Sequence, residues 1–329
     1  MCHHLLMNIW ELGDLCTPWC IHVAATLRIA EHISQGLEEI GPLSAAAGAD
    51  RDSLHRVLRH LVSKGVFAEP EPVRFILNEE ARGLLEPGIR LGFDLDGFGS
   101  RMAYAWGSML SAVRTGRPAY HEVFGKPFWE DLRANPNIRA QFNALMGQQG
   151  HGIPDWRVLP NPADWVSVKT VVDVGGGTGL LLAEILRAQT HLRGILVDLP
   201  DTVSESAEIF QNAGVTDRVA TEGQSFFDPL PAGADVYLLS KVLGDWADPE
   251  ALAILKRCAE AARPNGRVIV LGGPGPGEEP SPELLMMVLV GGKGRSLDQL
   301  TGMAGQAGLT VTAVGRQESG KRLVQFQPS

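Results

Sequence analysis

Residues 173–179 read Asp-Val-Gly-Gly-Gly-Thr-Gly, between a hydrophobic run, TVVDV, and an amphipathic one, LLLAEIL. A strand, a glycine turn and a helix in that order make a cradle. Without a Cβ in the way, backbone amides approach a ligand closely. Asp198 follows 25 residues after Asp173, at the end of the next hydrophobic run, GILVD. A carboxylate there can accept hydrogen bonds from both hydroxyls of a ribose. Two nucleotide cofactors compete for such a cradle. Dinucleotide sites use Gly-x-Gly-x-x-Gly, because a pyrophosphate must rest on the helix N-terminus. Here Asp173 stands two residues before the first glycine, and an acid there repels a pyrophosphate. It suits the ammonium of an amino-acid tail, which favours S-adenosylmethionine over NAD.

A second group of residues invites a metal reading. Cys2, His3, His4, Cys16, Cys20 and His22 are clustered near the start of the chain. The Cys-x3-Cys spacing has no second pair to complete a tetrahedral set, so no metal site is expected, and the thiols read as buried side chains. Four cysteines in 329 residues fit a reducing, cytoplasmic setting.

The elements that must carry these residues can be read from the pattern. From residue 169 onward, strand-like runs alternate with helical ones: 170–174, GILVDLP, ADVYLLSKVL, GRVIVLGG, LTVTAV and RLVQFQ. That alternation predicts a doubly wound α/β sheet. Asp248 is expected to cap a helix with Pro249 at its first position, running to about Ala262. Before it, 151–165 holds three prolines and reads as a connector. Residues 100–150 are helical in pattern and rich in aromatics. Earlier still, 19–34 reads as one helix. Residues 43–86 read as helix, turn at Gly48, helix and two short strands near Val66–Phe67 and Phe75–Leu77, a winged helix-turn-helix. Leu54, Val57, Leu58 and Leu61 form the apolar face of its second helix.

Such a module can read DNA with Arg51, Arg56, Arg59 and Lys64. Yet residues 1–100 hold 8 Lys/Arg against 14 Asp/Glu, and the whole chain carries −9. A DNA-reading module is normally basic, so dimerisation and substrate covering are expected, with no nucleic-acid partner. No run reaches the roughly 18 apolar residues of a membrane span, and no signal segment opens the chain.

The segments VVDVGGGTG, VDLPDTV, LLSKVLGDWADPEALAIL, GRVIVLGG and VGGKGRS resemble the successive motifs of S-adenosylmethionine-dependent O-methyltransferases of the caffeic-acid and hydroxyindole type, in their bacterial natural-product branch. The resemblance spans nearly the whole chain. It implies a class I methyltransferase (Rossmann-like) domain over 151–329. It implies an N-terminal, mainly α, winged-helix dimerisation and substrate-covering domain over 1–150. A homodimer acting on a small aromatic or polyketide-like substrate follows. Carried over by position, Gly175 and Gly177 face the methionine part of the cofactor and Asp198 holds the ribose. Phe226 covers one face of the adenine and Trp246 the other. Ser225 stands where the family commonly has an acid, and Ser240 where many members have Lys.

The pattern breaks where the chemistry belongs. The family's His of His-Asp-Trp falls at Gly244. Its two acids fall at Gly272 and Gly294. All three are glycine in otherwise intact frames. Asp245 is retained, and in the family it serves architecture. His151 and His121 are candidate replacement bases. Without a base, a neutral phenol of pKa about 10 loses roughly 10²–10⁴ in rate, whereas an acceptor already ionised needs only proximity. Methylation of an acidic oxygen is therefore the first expectation. A non-methylating step (hydroxylation, decarboxylation or a pericyclic reaction) that uses the bound sulfonium as a fixed charge is the second. An inactive or regulatory winged-helix homologue is the third.

Overall fold

The computed structural model describes residues 9–273, 283–318 and 320–329. The chain divides into two units. One takes the described residues up to Tyr104 together with Asn137–Gly150, and the other takes Ala105–Pro136 and His151–Ser329.

In the first unit, the single helix expected over 19–34 is two helices, Cys16–Thr26 and Ile29–Ser34. The break is at Arg28, which takes φ 57° and points its guanidinium to Glu31. The start is set by Asp14, whose carboxylate accepts from the backbone N–H groups of Cys16 and Thr17. Helices Ile40–Ala46 and Arg51–Ser63 follow, joined through Gly48 at φ +62°. Asp50 caps the second by accepting from the Ser53 N–H at 2.9 Å, the expected behaviour of an acidic N-cap. Leu54, Leu58 and Leu61 are buried with Ile29, Ile40, Leu43, Phe67 and Phe75 in one core. Val57 packs only at its edge.

The wing strands are β1 (Ala68–Glu71) and β2 (Arg74–Ile76), paired antiparallel. β1 begins later than the sequence suggested because Phe67 turns to φ 67°, buries its ring and gives its N–H to Asn78. Arg56 pairs with Asp52, Arg59 with Glu69 and Lys64 with Asp14. Three of the four cations offered for DNA thus have an acidic neighbour within the unit.

The second unit is built on seven strands: β3 (Thr170–Val174), β4 (Arg193–Asp198), β5 (Val219–Gly223), β6 (Val236–Ser240), β7 (Arg267–Leu271), β8 (Leu309–Arg316) and β9 (Arg322–Pro328). Their order is β5-β4-β3-β6-β7-β9-β8. The first five run parallel. β9 lies antiparallel to β7, and β8 antiparallel to β9. Val172 and Val174 point into one apolar cluster, while Val171 points into another. This period-2 split means both faces of the sheet are covered, as the doubly wound reading required. Strand order reverses at β3, so the crevice for a ligand opens at the carboxyl ends of β3 and β6.

Two details differ from the sequence reading. Asp248 is the first residue of helix Asp248–Ala261, not its cap, and its carboxylate is held by Lys293 and Arg295. Residues 105–136, assigned from sequence to the N-terminal half, cluster with the sheet. Helix Met109–Thr115 packs on helix Leu284–Leu289, and Trp129 stacks on Trp246 with ring centroids 6.3 Å apart. Among the described residues, no helix is long and apolar enough to cross a membrane.

Candidate active site

The glycine turn leaves β3 with Gly175, Gly177 and Gly179 at φ +69°, +62° and +83°. The Gly175 N–H donates to the Val197 carbonyl at 2.8 Å, which ties the turn to β4. A Cβ on Gly176 would lie 2.5 Å from the Asp173 carboxylate and 2.6 Å from Leu196, so the turn tolerates no side chain there. Beneath it, Asp173 is 1% exposed. Neither of its oxygens has a hydrogen-bond partner among the described residues. Burial, and then the neighbouring Asp198, push its pKa up to about 7. A buried, unpaired carboxylate is costly and marks where a cationic group belongs.

Asp198 ends β4. One of its oxygens accepts from the Gly177 N–H at 2.8 Å and the other from the Leu199 N–H at 2.7 Å. Burial raises its pKa, and these two donors oppose the rise. The turn and the strand-end acid are therefore one hydrogen-bonded piece, with the acid's remaining lone pairs available to ribose hydroxyls.

Beyond β6 and β7 lies a cavity of about 290 Å³. Gly244, Gly272 and Gly294 all line it. The three positions that the motif frames assign to chemistry thus meet in one space. A Cβ on Gly244 would touch nothing within 4 Å, and neither would one on Gly272, although Gly272 sits at φ +127°. Asp245 and Lys241 line the same cavity. Asp245 is raised to about 7 by burial and by Glu283, with Lys241 opposing. Among the described residues, its side chain makes no hydrogen bond or ion pair, and it lines the cavity.

A family model for the O-methyltransferase domain matches residues 106–310. The chain belongs to the O-methyltransferase family. It is 41% identical over 312 residues to a 2,7-dihydroxy-5-methyl-1-naphthoate 7-O-methyltransferase of Streptomyces carzinostaticus, covering 93% of each chain. It is 37% identical to the aclacinomycin 10-hydroxylase RdmB of Streptomyces purpurascens, covering 96% of this chain and 87% of that one. Among solved structures, it matches an O-methyltransferase from neocarzinostatin biosynthesis in complex with S-adenosyl-L-homocysteine and 1,4-dihydroxy-2-naphthoic acid. That match has a TM-score of 0.91 and 38% identity, and covers 100% of both chains. The fold is that of class I methyltransferases, and the cofactor of this methyltransferase is S-adenosylmethionine.

The aromatic pair expected to sandwich the adenine is arranged differently. The Phe226 ring lies against the glycine turn, 3.3 Å from where a Gly175 Cβ would be. Trp246 meets Phe226 edge to face, with centroids 5.8 Å apart at 88°, and meets Phe227 in the same way at 5.0 Å. Two perpendicular rings in contact leave no parallel slot, so Phe226 and Trp246 do not form opposite walls in this conformation. Trp246 is instead packed between Phe227 and Trp129. Ser225 turns its hydroxyl oxygen to accept from the Phe227 N–H at 3.2 Å, and Ser240 ends β6.

Neither candidate histidine lines the cavity. His121 is exposed on helix Tyr120–Phe124. His151 is also exposed, and partial burial together with Lys241 and Lys321 lowers its pKa.

Sequence reasoning missed two residues. Lys241 takes φ 59° at the end of β6, a strained conformation of the kind that collects at functional sites. Partial burial and then Lys321 lower its pKa, although the side chain keeps solvent access. Arg295 is 5% exposed and donates to the carbonyls of Leu243 and Trp246 at 2.6 and 2.7 Å and to Asp248 at 3.0 Å. It locks the loop that carries Gly244 and Asp245. The arginine of VGGKGRS was the available signal.

Two modest predictions follow from this geometry. Because the Gly244 side is open, Gly244→His folds and keeps its cofactor Kd within about threefold of wild type by calorimetry, since no bond to the turn is touched. A loss beyond tenfold contradicts the placement of Gly244 outside the cofactor cradle. Cofactor affinity also weakens as pH falls through about 7, because Asp173 must give up its proton to face a cation. The slope approaches about tenfold per pH unit for one coupled proton. Calorimetry in buffers of different ionisation enthalpy reads this directly, and a Kd independent of pH from about 5.5 to about 8 contradicts it.

Proposed function

We propose that this methyltransferase transfers the cofactor's methyl group to a hydroxyl of a small hydroxylated aromatic acid in natural-product biosynthesis, with Asp245 as the proton acceptor. The observation that carries this reading is the cavity itself. Its three family chemistry positions are glycine, and Asp245 is a titratable side chain opening into it. A base works best with a pKa near the operating pH, and burial has moved Asp245 to about 7. Lys241 beside it places a cation where the acceptor oxygen gains negative charge. Leu285 and Met286 supply an apolar wall suited to a flat ring.

Gly175, Gly177, Asp173 and Asp198 are assigned to the cofactor, with Phe226 over the glycine turn. The bound cofactor supplies an electrophilic methyl. The protein's share is to align the acceptor, exclude water and take its proton. At about 290 Å³ the cavity lies near the lower bound of roughly 300–1,000 Å³ for small-molecule sites, which supports a one- or two-ring acceptor. The naphthoate relative supports the same size class.

The test is an incubation with methyl-labelled cofactor and a panel of hydroxynaphthoic acids. The expected result is label in an aryl methyl ether, formed one for one with S-adenosylhomocysteine. Converted acceptor with intact cofactor supports the non-methylating alternative instead.

We also propose that the working form is a homodimer. Leu12 and Leu15 are 60% and 76% exposed, apolar surface that a monomer would leave in water. Leu12→Glu combined with Leu15→Glu is expected to shift the mass measured by light scattering from twice the chain mass to one chain. An unchanged mass contradicts this assignment of the interface.

A further inference from the structure

The first unit holds a cluster that the transferase reading does not use. Helix Cys16–Thr26 places Cys16 and Cys20 one turn apart on the same face, and their sulfurs lie 3.8 Å apart without a disulfide. Helix Arg51–Ser63 packs against this helix and brings His60 to the pair. One ligand atom from each of Cys16, Cys20 and His60 lies within 4.8 Å of the others. The sequence reading had weighed Cys2, His3, His4 and His22 as companions. The first three lie outside the described residues, and His22 bonds the Phe93 carbonyl. His60, on a different helix, was invisible to spacing arguments.

We propose that Cys16, Cys20 and His60 form a binding site for one thiophilic divalent cation of the zinc class, with the fourth position left to water. Two thiolates about 2.3 Å from a tetrahedral zinc lie about 3.8 Å apart, and the two sulfurs already have that separation. A nitrogen at about 2.0–2.1 Å completes the face at about 3.5 Å from each sulfur, so a His60 ligand atom already within 4.8 Å of both needs only a small shift.

The outer partners agree with this assignment. His60 Nε2 lies 2.8 Å from the Thr17 hydroxyl, which in turn donates to the Asp14 carboxylate. Metal-bound histidines are commonly oriented through such a chain to a carboxylate. Asp14 also accepts from the backbone N–H groups of Cys16 and Thr17, which fixes its carboxylate beside the cluster. Lys64 is the nearby cation, 3.4 Å from Asp14, and is paired there. Cysteine ligands bind as thiolates, so binding one divalent cation releases protons and affinity weakens as pH falls. Two thiolates and an imidazole select a borderline-soft ion over magnesium or calcium.

The experiment uses reduced, metal-stripped, tag-free full-length protein titrated with cobalt(II). The expected result is one ion per chain, with a sulfur-to-cobalt charge-transfer band and tetrahedral d–d absorption, both bleached by one equivalent of zinc. Cys16→Ser, at an exposed position, removes most of the charge-transfer intensity. His60→Gln weakens binding by more than about 10²-fold, beyond the roughly 10–100-fold typical of outer-shell changes. A variant carrying Cys2→Ser, His3→Asn and His4→Asn keeps full binding. Circular dichroism and cofactor calorimetry report folding of each variant. No thiolate band in folded wild type overturns the proposal. So does binding that survives in His60→Gln unchanged, or binding that disappears with the three terminal substitutions.

Discussion

Replacing Asp245 by asparagine lowers kcat for methyl transfer about 10²–10³-fold, within the span attributed to a positioned base, and leaves the cofactor Kd almost unchanged. The amide fills the same volume but cannot take a proton. In the wild type, kcat rises with pH through about 7 and then levels, because the carboxylate must be ionised to act. In the variant that limb is gone. The same group also gives a stability signature. The folded protein holds the Asp245 proton up to about 7, whereas the unfolded chain releases it near 3.8. Between these values the folded state binds more protons, so stability falls as pH rises. Asparagine removes this slope, and the variant melts higher than wild type at pH above about 7. A merely architectural role would lower the melting point instead. A kcat within threefold of wild type, with the pH limb intact, removes Asp245 from the chemistry and leaves proximity to a pre-ionised acceptor.

Replacing Asp198 by alanine weakens cofactor binding by about 10²–10⁴-fold. Hydrogen bonds to an ionised group contribute roughly 1.5–3 kcal/mol each, and two ribose hydroxyls are at stake. The loss also reaches the turn, since Asp198 accepts from the Gly177 and Leu199 N–H groups. Asp198→Asn separates the two contributions. It keeps an acceptor for one N–H but loses the charge, and its Kd falls between those of wild type and Asp198→Ala. Calorimetry with S-adenosylhomocysteine measures all three proteins. A Kd for Asp198→Ala within tenfold of wild type contradicts the assignment of Asp198 to the ribose.

Much of this site was legible because its parts are local. A strand, a glycine turn and a strand-end acid leave a period-2 run, a cluster of glycines and an aspartate at a fixed interval. The three glycines at 244, 272 and 294 could be placed by their frames, each beside a strand end or an intact motif. What sequence could not reveal depends on side-chain direction and long-range approach. Phe226 and Trp246 were assigned opposite walls, but Phe227 and Trp129 draw the indole into edge and stacking contacts of their own. Residues 105–136 looked continuous with the N-terminal helices, but packing on Leu284–Leu289 and the Trp129–Trp246 stack join them to the second unit. Lys241 carries no motif of its own. Its importance lies in a backbone angle. The break at Arg28 and the late start of β1 at Phe67 have the same origin, a left-handed residue other than glycine or asparagine, which composition does not announce.

The measurement closest to the heart of the account is a crystal structure of the protein with S-adenosylhomocysteine and a hydroxynaphthoic acid bound together. The account predicts the ribose on Asp198 and the homocysteine sulfur facing the cavity bounded by Gly244, Gly272 and Gly294. It also predicts the acceptor hydroxyl within hydrogen-bond reach of Asp245. A histidine on that hydroxyl, from 121, 151 or elsewhere, or an acceptor seated outside the glycine-lined cavity, contradicts it.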